Sequence, residues 1–240
     1  MKNKIRELKN WDNETWLSSS SYINSFNTFL LKKKKLNKNS QILDIGCGRG
    51  KIFGDISKKL KLLHKPIGID PIAHKDVDKY IDFKNEDVFD FFKTNKIKFD
   101  LIMIKQTLHF FNKNKRYKLI KVCKNNLKKN GVLIIFSLNT LNNEIPCFKL
   151  MKQKLNKGLK RDSIMIQSTC KILKNYKIDK FIFKVSITKS QYIKMLRRRY
   201  MSCLINLNKD QLNKGIKEIK DIYSNKILFR DILICVRYKN

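Results

Sequence analysis

Apolar and polar positions follow three different rhythms along this chain. In residues 11–31, Tyr22, Phe26, Phe29 and Leu30 recur at helical spacing, which predicts an amphipathic helix near the N-terminus. From Gln41 the apolar residues fall instead into short unbroken runs. Ile42-Leu43-Asp44-Ile45 ends in glycines and reads as a buried strand, and Lys51–Leu63 follows with helical period. Pro66–Ile69 is a second short strand, Tyr80–Phe83 a weaker third and Phe99–Ile104 a fourth. Lys113–Lys129 reads as a helix closed by Asn130-Gly131, before a fifth strand at Val132–Leu138. Strands without alternation, separated by helices, indicate a parallel sheet covered on both faces.

The rhythm changes again after residue 140. Leu150–Leu159 and Ile164–Leu173 read as two helices. Lys180–Thr188 alternates Phe181, Phe183, Val185 and Ile187 with polar neighbours, as a strand does. Gln191–Leu207 and Asp210–Tyr223 read as helices and Ile227–Tyr238 as a last strand, so strands six and seven follow a helical insertion. There is no internal repeat, and Lys32–Lys35 is the one low-complexity stretch, read as the solvated end of a helix. The expected organisation is a single domain: an N-terminal helical lid over 1–38, a core over 40–140, and an insertion with the last two strands over 141–240.

Composition supports a packed globular chain. At 240 residues, 42% hydrophobic and 10% aromatic, the chain can bury a core without staples. No apolar run approaches the roughly 20 residues of a membrane helix. Met1–Trp16 is charged and lacks the apolar centre of a secretory signal. Cys47, Cys123, Cys147, Cys170, Cys203 and Cys235 show no C-x-x-C pair and no zinc-ligand spacing to a His. They read as small buried hydrophobes of a reducing cytoplasm, with no metal.

Charge changes the picture more. Fifty-four basic residues against 20 acidic give +34, which raises nucleic acid or an anionic membrane as partners. Yet nearly all of the excess is lysine, Asn and Ile are abundant, and Ala73 is the single alanine. That profile fits A/T-rich codon usage. A phosphate-reading surface favours arginine, whose fork matches phosphate geometry. The lysines are therefore read first as composition, with nucleic acid possible but not favoured.

Ile42-Leu43-Asp44-Ile45-Gly46-Cys47-Gly48-Arg49-Gly50 is a strand, a glycine-rich turn and a helix start. Glycine allows the tight turn and the close approach of a ligand to backbone. The dinucleotide fingerprint needs glycine at position 51, where Lys51 stands. A P-loop needs glycine at 45 and Ser or Thr at 52, where Ile45 and Ile52 stand. The remaining pattern, acidic-x-G-x-G-x-G, resembles motif I of the class I S-adenosylmethionine-dependent methyltransferases. Asp70 at the tip of the second strand, Asn85-Glu86-Asp87-Val88 after the third, Phe99-Asp100-Leu101-Ile102 and Leu127–Leu138 are similar to the family's later motifs, in order and in spacing. Residues 40–138 carry the resemblance.

It implies a Rossmann-like, doubly wound seven-stranded sheet with an antiparallel last strand, and S-adenosylmethionine as cofactor. Gly46, Cys47, Gly48 and Gly50 would form the loop and Asp44 would lie beneath the amino-acid end. Asp70, with Pro71, would hold the ribose, and Asp87 and Val88 the adenine. Asp44 and Asp70 also have plain readings as a turn residue and a helix cap. Residues 191–201 loosely resemble the stretch before the last helix in small-molecule, type 11, methyltransferases.

Lys105-Gln106-Thr107-Leu108-His109 follows the fourth strand and should face the transferred methyl, because ligands bind outside the carboxyl ends of such strands. Lys105 is grouped with the cofactor residues, and it could also steer an acidic substrate. His109 is the candidate general base, with local packing as the other reading. Trp11, Trp16, Tyr22, Gln106, Tyr192 and Arg197 are candidate acceptor contacts. The aromatics of the N-terminal helix could instead simply pack on the sheet. The leading expectation is an enzyme that methylates a small molecule by in-line displacement. The alternative is an RNA methyltransferase, though no Asn-Pro-Pro-Tyr-type motif or paired catalytic cysteines are present. These motifs leave open the attacking atom (O, N, S or C) and the oligomeric state.

Overall fold

The computed structural model describes residues 12–240. Its strands are β1 (Ile42–Ile45), β2 (Ile67–Ile69), β3 (Asp82–Lys84), β4 (Phe99–Lys105), β5 (Leu127–Leu138), β6 (Tyr176–Thr188) and β7 (Lys226–Lys239). The helices are α1 (Ser20–Lys33), α2 (Lys51–Leu60), α3 (Val88–Thr94), α4 (Lys113–Asn125), α5 (Lys149–Leu173), α6 (Lys189–Arg197) and α7 (Lys209–Ile222). One sheet of seven strands runs in the order β3-β2-β1-β4-β5-β7-β6. β7 is antiparallel to both β5 and β6, and the pairs from β3 to β5 are parallel. The doubly wound sheet with an antiparallel last strand is therefore as expected. Among the described residues, no helix is long and apolar enough to cross a membrane.

Short strands in the sheet centre are buried on both faces, which explains their unbroken apolar runs. Leu101 and Met103 of β4 join the core beneath α1, while Ile102 and Ile104 join the core on the opposite face. The N-terminal helix packs onto the first of these faces. Ser19 caps it by accepting the Tyr22 N–H at 3.2 Å. Phe26 lies 4.7 Å from the Phe136 ring and 5.1 Å from Phe181, and Tyr22 meets Phe181 and Phe183 edge-on.

Several elements depart from the sequence reading. The stretch read as two helices is the single α5. Nothing between 159 and 164 breaks it, and Met151, Leu155, Leu159, Asp162, Ile166, Cys170 and Leu173 form one buried stripe through it. Asn130-Gly131 does not close a helix. The chain leaves α4 at Asn126, whose carbonyl accepts the Phe99 N–H, so β5 begins at Leu127. Asn130, at φ 64°, and Gly131 then make an irregularity within β5. A Cβ on Gly131 would stand 2.7 Å from the Phe99 carbonyl oxygen, so glycine is required there.

The helix read from Gln191 stops at Arg197 and does not reach Leu207. Arg199 turns left-handed, at φ 52°, and its guanidinium caps the carbonyls of Leu204, Ile205 and Leu207. α3 was absent from the sequence reading, being only two turns long.

Candidate cofactor and acceptor site

The chain turns from β1 into α2 on three glycines with positive φ: Gly46 at 74°, Gly48 at 54° and Gly50 at 70°. A Cβ on Gly46 would stand 2.1 Å from Thr107 Oγ1, and one on Gly50 2.1 Å from Ile81 Cδ1. These two glycines close the loop against its neighbours. At Gly48 a Cβ would meet nothing within 4 Å among the described residues, so this backbone is open to them. The Gly46 and Cys47 N–H groups both donate to the Ile69 carbonyl, at 2.8 and 3.2 Å, which fixes the loop on the end of β2. Cys47 is half-buried, and burial, with Asp44 and Asp70 nearby, pushes its thiol far up.

Asp70 ends β2. Its Oδ2 accepts the Gly48 N–H and its Oδ1 the Ile72 N–H, both at 2.9 Å. His74 Nε2 lies 3.5 Å from the same carboxylate. Asn85 Nδ2 donates to the Asp70 carbonyl at 3.0 Å and so ties the tip of β3 to that of β2. Pro71 follows, exposed. Asp87 accepts the Phe89 N–H as cap of α3, and Val88 is buried in the core behind it.

Asp44 is buried, and its Oδ1 has no hydrogen-bond partner among the described residues. Burial, relieved in part by Lys105 and reinforced by Asp70, pushes its carboxyl up to about 7. A buried acceptor left unpaired costs about 1–3 kcal/mol, which a donor from a ligand would recover. Together, the open face at Gly48, the loop-bound Asp70 and the unpaired Asp44 fit a cofactor with an ammonium at one end and a ribose at the other.

Beyond β4, Lys105 reaches under α1, its ammonium 5.4 Å from the Tyr22 ring and 5.5 Å from Phe26. Burial pulls its pKa down against the pull of Asp231, Asp44 and Asp12. Gln106 takes φ 53°, and its N–H donates to the Phe136 carbonyl at 2.8 Å. His109 is half-buried in a 3-10 turn, its ring 4.1 Å from Phe110. Burial lowers its pKa, and the charges that act on it are Asp162 and Arg161 of α5.

The candidate acceptor residues divide into three groups. Trp11 lies outside the described residues. Trp16 and Tyr22 are buried on the α1 face: Trp16 Nε1 donates to Asp231 Oδ2 at 2.9 Å, and its ring meets Tyr200 and Phe229 edge-on. Tyr192 is buried beneath them, its hydroxyl bonded to the Pro146 carbonyl and 3.1 Å from the Tyr200 hydroxyl. Arg197 instead lines an open groove of about 690 Å³ with Thr188, Lys189, Lys194 and Lys220.

Sequence reasoning did not name Asp231 or Asp12, and it gave Arg49, Asn85 and Thr107 no role of their own within the motifs that contain them. Arg49 is buried and holds Asp12 with two bonds, at 3.2 and 3.0 Å, so the chain before Trp16 is fastened to the glycine loop. For Asp231 there was a signal, a lone carboxylate in the apolar run of the last strand.

Comparisons with known proteins agree with this fold. The CheR methyltransferase, SAM binding domain, matches residues 70–156, from the tip of β2 into α5. No curated protein matches the chain. Among solved structures, the plantazolicin methyltransferase BpumL, in complex with a substrate analogue and S-adenosylhomocysteine, is 19% identical with a TM-score of 0.55, over 100% of this chain and 90% of that one. The N-methyltransferase NodS of Bradyrhizobium japonicum, also in complex with S-adenosylhomocysteine, is 14% identical with a TM-score of 0.53, over 100% and 97%. A protein from an antibiotic biosynthesis pathway of Anabaena variabilis is 12% identical with a TM-score of 0.58, over 88% and 95%. Residues 70–156 thus match a methyltransferase S-adenosylmethionine-binding domain, and the whole chain shares the fold of these methyltransferase structures.

Proposed function

We propose that the enzyme transfers the methyl group of S-adenosylmethionine to a small-molecule acceptor by in-line displacement. The observation that carries the reading is the Gly48 backbone, open among the described residues and bonded to the Asp70 carboxylate, on the loop that follows the buried Asp44 with its unpaired Oδ1. When bound, the cofactor supplies a methyl group already activated by a positive sulfur. The chain's own residues then have to bind, align and exclude water.

In this reading Asp44 accepts the ammonium of the amino-acid end. Asp70 exchanges its bonds to the loop for the ribose hydroxyls, and Asp87 with Val88 flanks the adenine. Gly46 and Gly50 hold the loop shape, and Cys47 fills the space against Gly68. A small acceptor is supported by the roof over the ends of β4 and β7, where Trp16, Tyr22 and Tyr200 are buried.

Thermal unfolding with and without S-adenosylhomocysteine tests the cofactor reading. At a hundredfold excess over Kd, binding should add about 2.7 kcal/mol of stability. For a chain of this length that is a rise of roughly 5–10 °C in Tm. No shift at millimolar ligand would reject it.

A further inference from the structure

The pleat of the sheet brings three charged residues to one place. In β1 the side of Ile42 is also that of Asp44, and in β4 that of Leu101 and Met103 is also that of Lys105. In β7, Phe229, Leu233 and Cys235 share their face with Asp231. All belong to the α1 side of the sheet. Asp44 and Lys105 stand at the carboxyl ends of their strands. The antiparallel β7 reaches the same edge from the other direction: Leu233 pairs with Leu138, and the Asn139 N–H donates to the Ile232 carbonyl at 2.9 Å. Asp44, Lys105 and Asp231 thus form a row across the end of the sheet, roofed by Tyr22 and Trp16. β7 lies two strand spacings from β4, roughly 10 Å.

The row is chemically unfinished. Among the described residues the Tyr22 hydroxyl is buried without a partner, as is Asp44 Oδ1. Lys105 forms no ion pair among the described residues. Asp231 is 1% exposed, and Trp16 occupies only one of its two oxygens. The two carboxylates outnumber the one ammonium, in a chain whose net charge is +34. Asp44 belongs to the cofactor end, which leaves Asp231 and Tyr22 as acceptor groups without a ligand.

We propose that Asp231 and Tyr22 are acceptor-binding residues and that the acceptor is a primary or secondary amine. This rests on the reading that the glycine loop binds S-adenosylmethionine. When ionised, the Asp231 carboxylate can only accept, so it recognises an N–H donor and repels carboxylate and phosphate acceptors. The Tyr22 hydroxyl accepts a second N–H or donates to the amine lone pair while the acceptor is positioned. An ammonium gives one proton to water before transfer. The amine lone pair then forms the N–C bond, the C–S bond breaks with its electron pair returning to sulfur, and the product leaves as a methylated ammonium. Residues 12–16 cover the row and must swing aside to admit the acceptor. The rim contacts Asp12–Arg49 and Glu14–Arg198, at 3.0 and 2.6 Å, and the Trp16–Asp231 bond are what must open.

The test uses the full chain with methyl-labelled S-adenosylmethionine. The probes are benzylamine, spermidine and arginine amide, against phenol, benzyl alcohol, benzoate and bulk tRNA. Label is expected in the amines. Asp231→Asn should lower kcat/KM for the amine roughly 10- to 100-fold, chiefly through KM, as loss of a charged hydrogen bond does. Asparagine still offers Trp16 an oxygen, and Tyr22→Phe removes only an unpaired hydroxyl, so Tyr22→Phe serves as a second variant with a loss of a few-fold. Both should keep the wild-type S-adenosylhomocysteine shift. Transfer to an oxygen probe or to tRNA overturns the assignment, as does an Asp231→Asn enzyme of wild-type activity. So does a chain that binds S-adenosylhomocysteine but methylates none of the amines. A wild-type chain without the shift overturns the cofactor reading instead.

Discussion

Gly46 and Gly48 have similar positive φ angles, yet their surroundings assign them different work. Gly46→Ala adds a left-handed alanine whose Cβ collides with Thr107 at 2.1–2.7 Å. Strain and overpacking together should cost about 2–4 kcal/mol of stability. Gly48→Ala adds the backbone strain alone, about 1–2 kcal/mol, because its Cβ meets nothing. That methyl enters the space assigned to the cofactor, so S-adenosylhomocysteine should bind roughly tenfold more weakly. Urea unfolding and calorimetric titration of the two variants separate the effects. Equal losses in both assays would remove Gly48 from the binding face.

Asp44 carries a pH dependence whose sign differs between free and bound protein. Its carboxyl is raised from 3.8 to about 7 by burial. In the free protein its favourable contribution is complete below the unfolded value and lost as pH rises through about 7. The cofactor's ammonium prefers the ionised form, so affinity for S-adenosylhomocysteine should rise between about pH 6 and 8. Asp44→Asn should flatten both dependences, read by titrations at several pH values. A wild-type affinity that is constant over this range would mean that Asp44 does not face the ammonium.

This much of the candidate site was legible because it is local. Asp44, the glycines and Asp70 are fixed by one strand–turn–helix and the next strand. Asp231 and the Arg49–Asp12 contact join residues far apart in the chain, and nothing in the spacing of either partner announces them.

At the scale of elements, α1 is held by its aromatic stripe. Phe26 meets Phe136, Phe181 and Tyr22 with no exposure. Phe26→Ala should cost about 3–5 kcal/mol, measured by urea unfolding. Since Tyr22 sits one turn earlier, the same variant should loosen the roof over Lys105. A loss below about 1 kcal/mol would mean that the helix docks through its other contacts.

The same elements show why the sequence was read well in some places and badly in others. β1 was read to the residue because a buried central strand is all apolar and ends at glycine. α5 was split because its exposed face carries Arg161 and Gly158, while the stripe that unites it is visible only over its full length. Asn130-Gly131 has the chemistry of a helix stop, and the sheet uses it for a kink in β5. Tertiary pairing with β4 decided between two uses of one dipeptide.

For the molecule as a whole, the net charge and the site pull apart. A chain at +34 repels itself, and salt should relieve that repulsion, so Tm should rise between about 20 and 300 mM NaCl. The acids assigned to the cofactor in the proposed reading, Asp44 and Asp70, are buried, and their contacts are screened much less. S-adenosylhomocysteine affinity should therefore change little over the same range. The lysines alone should retain RNA at low salt, with an affinity that falls steeply as salt rises. Such retention follows from charge and is not a sign of the acceptor. The discriminating measurement is labelled methyl transfer to RNA at a salt concentration where RNA still binds. Bound RNA that gains no label separates the lysine surface from the chemistry at the carboxyl end of the sheet. Label in RNA would make that surface part of the substrate site.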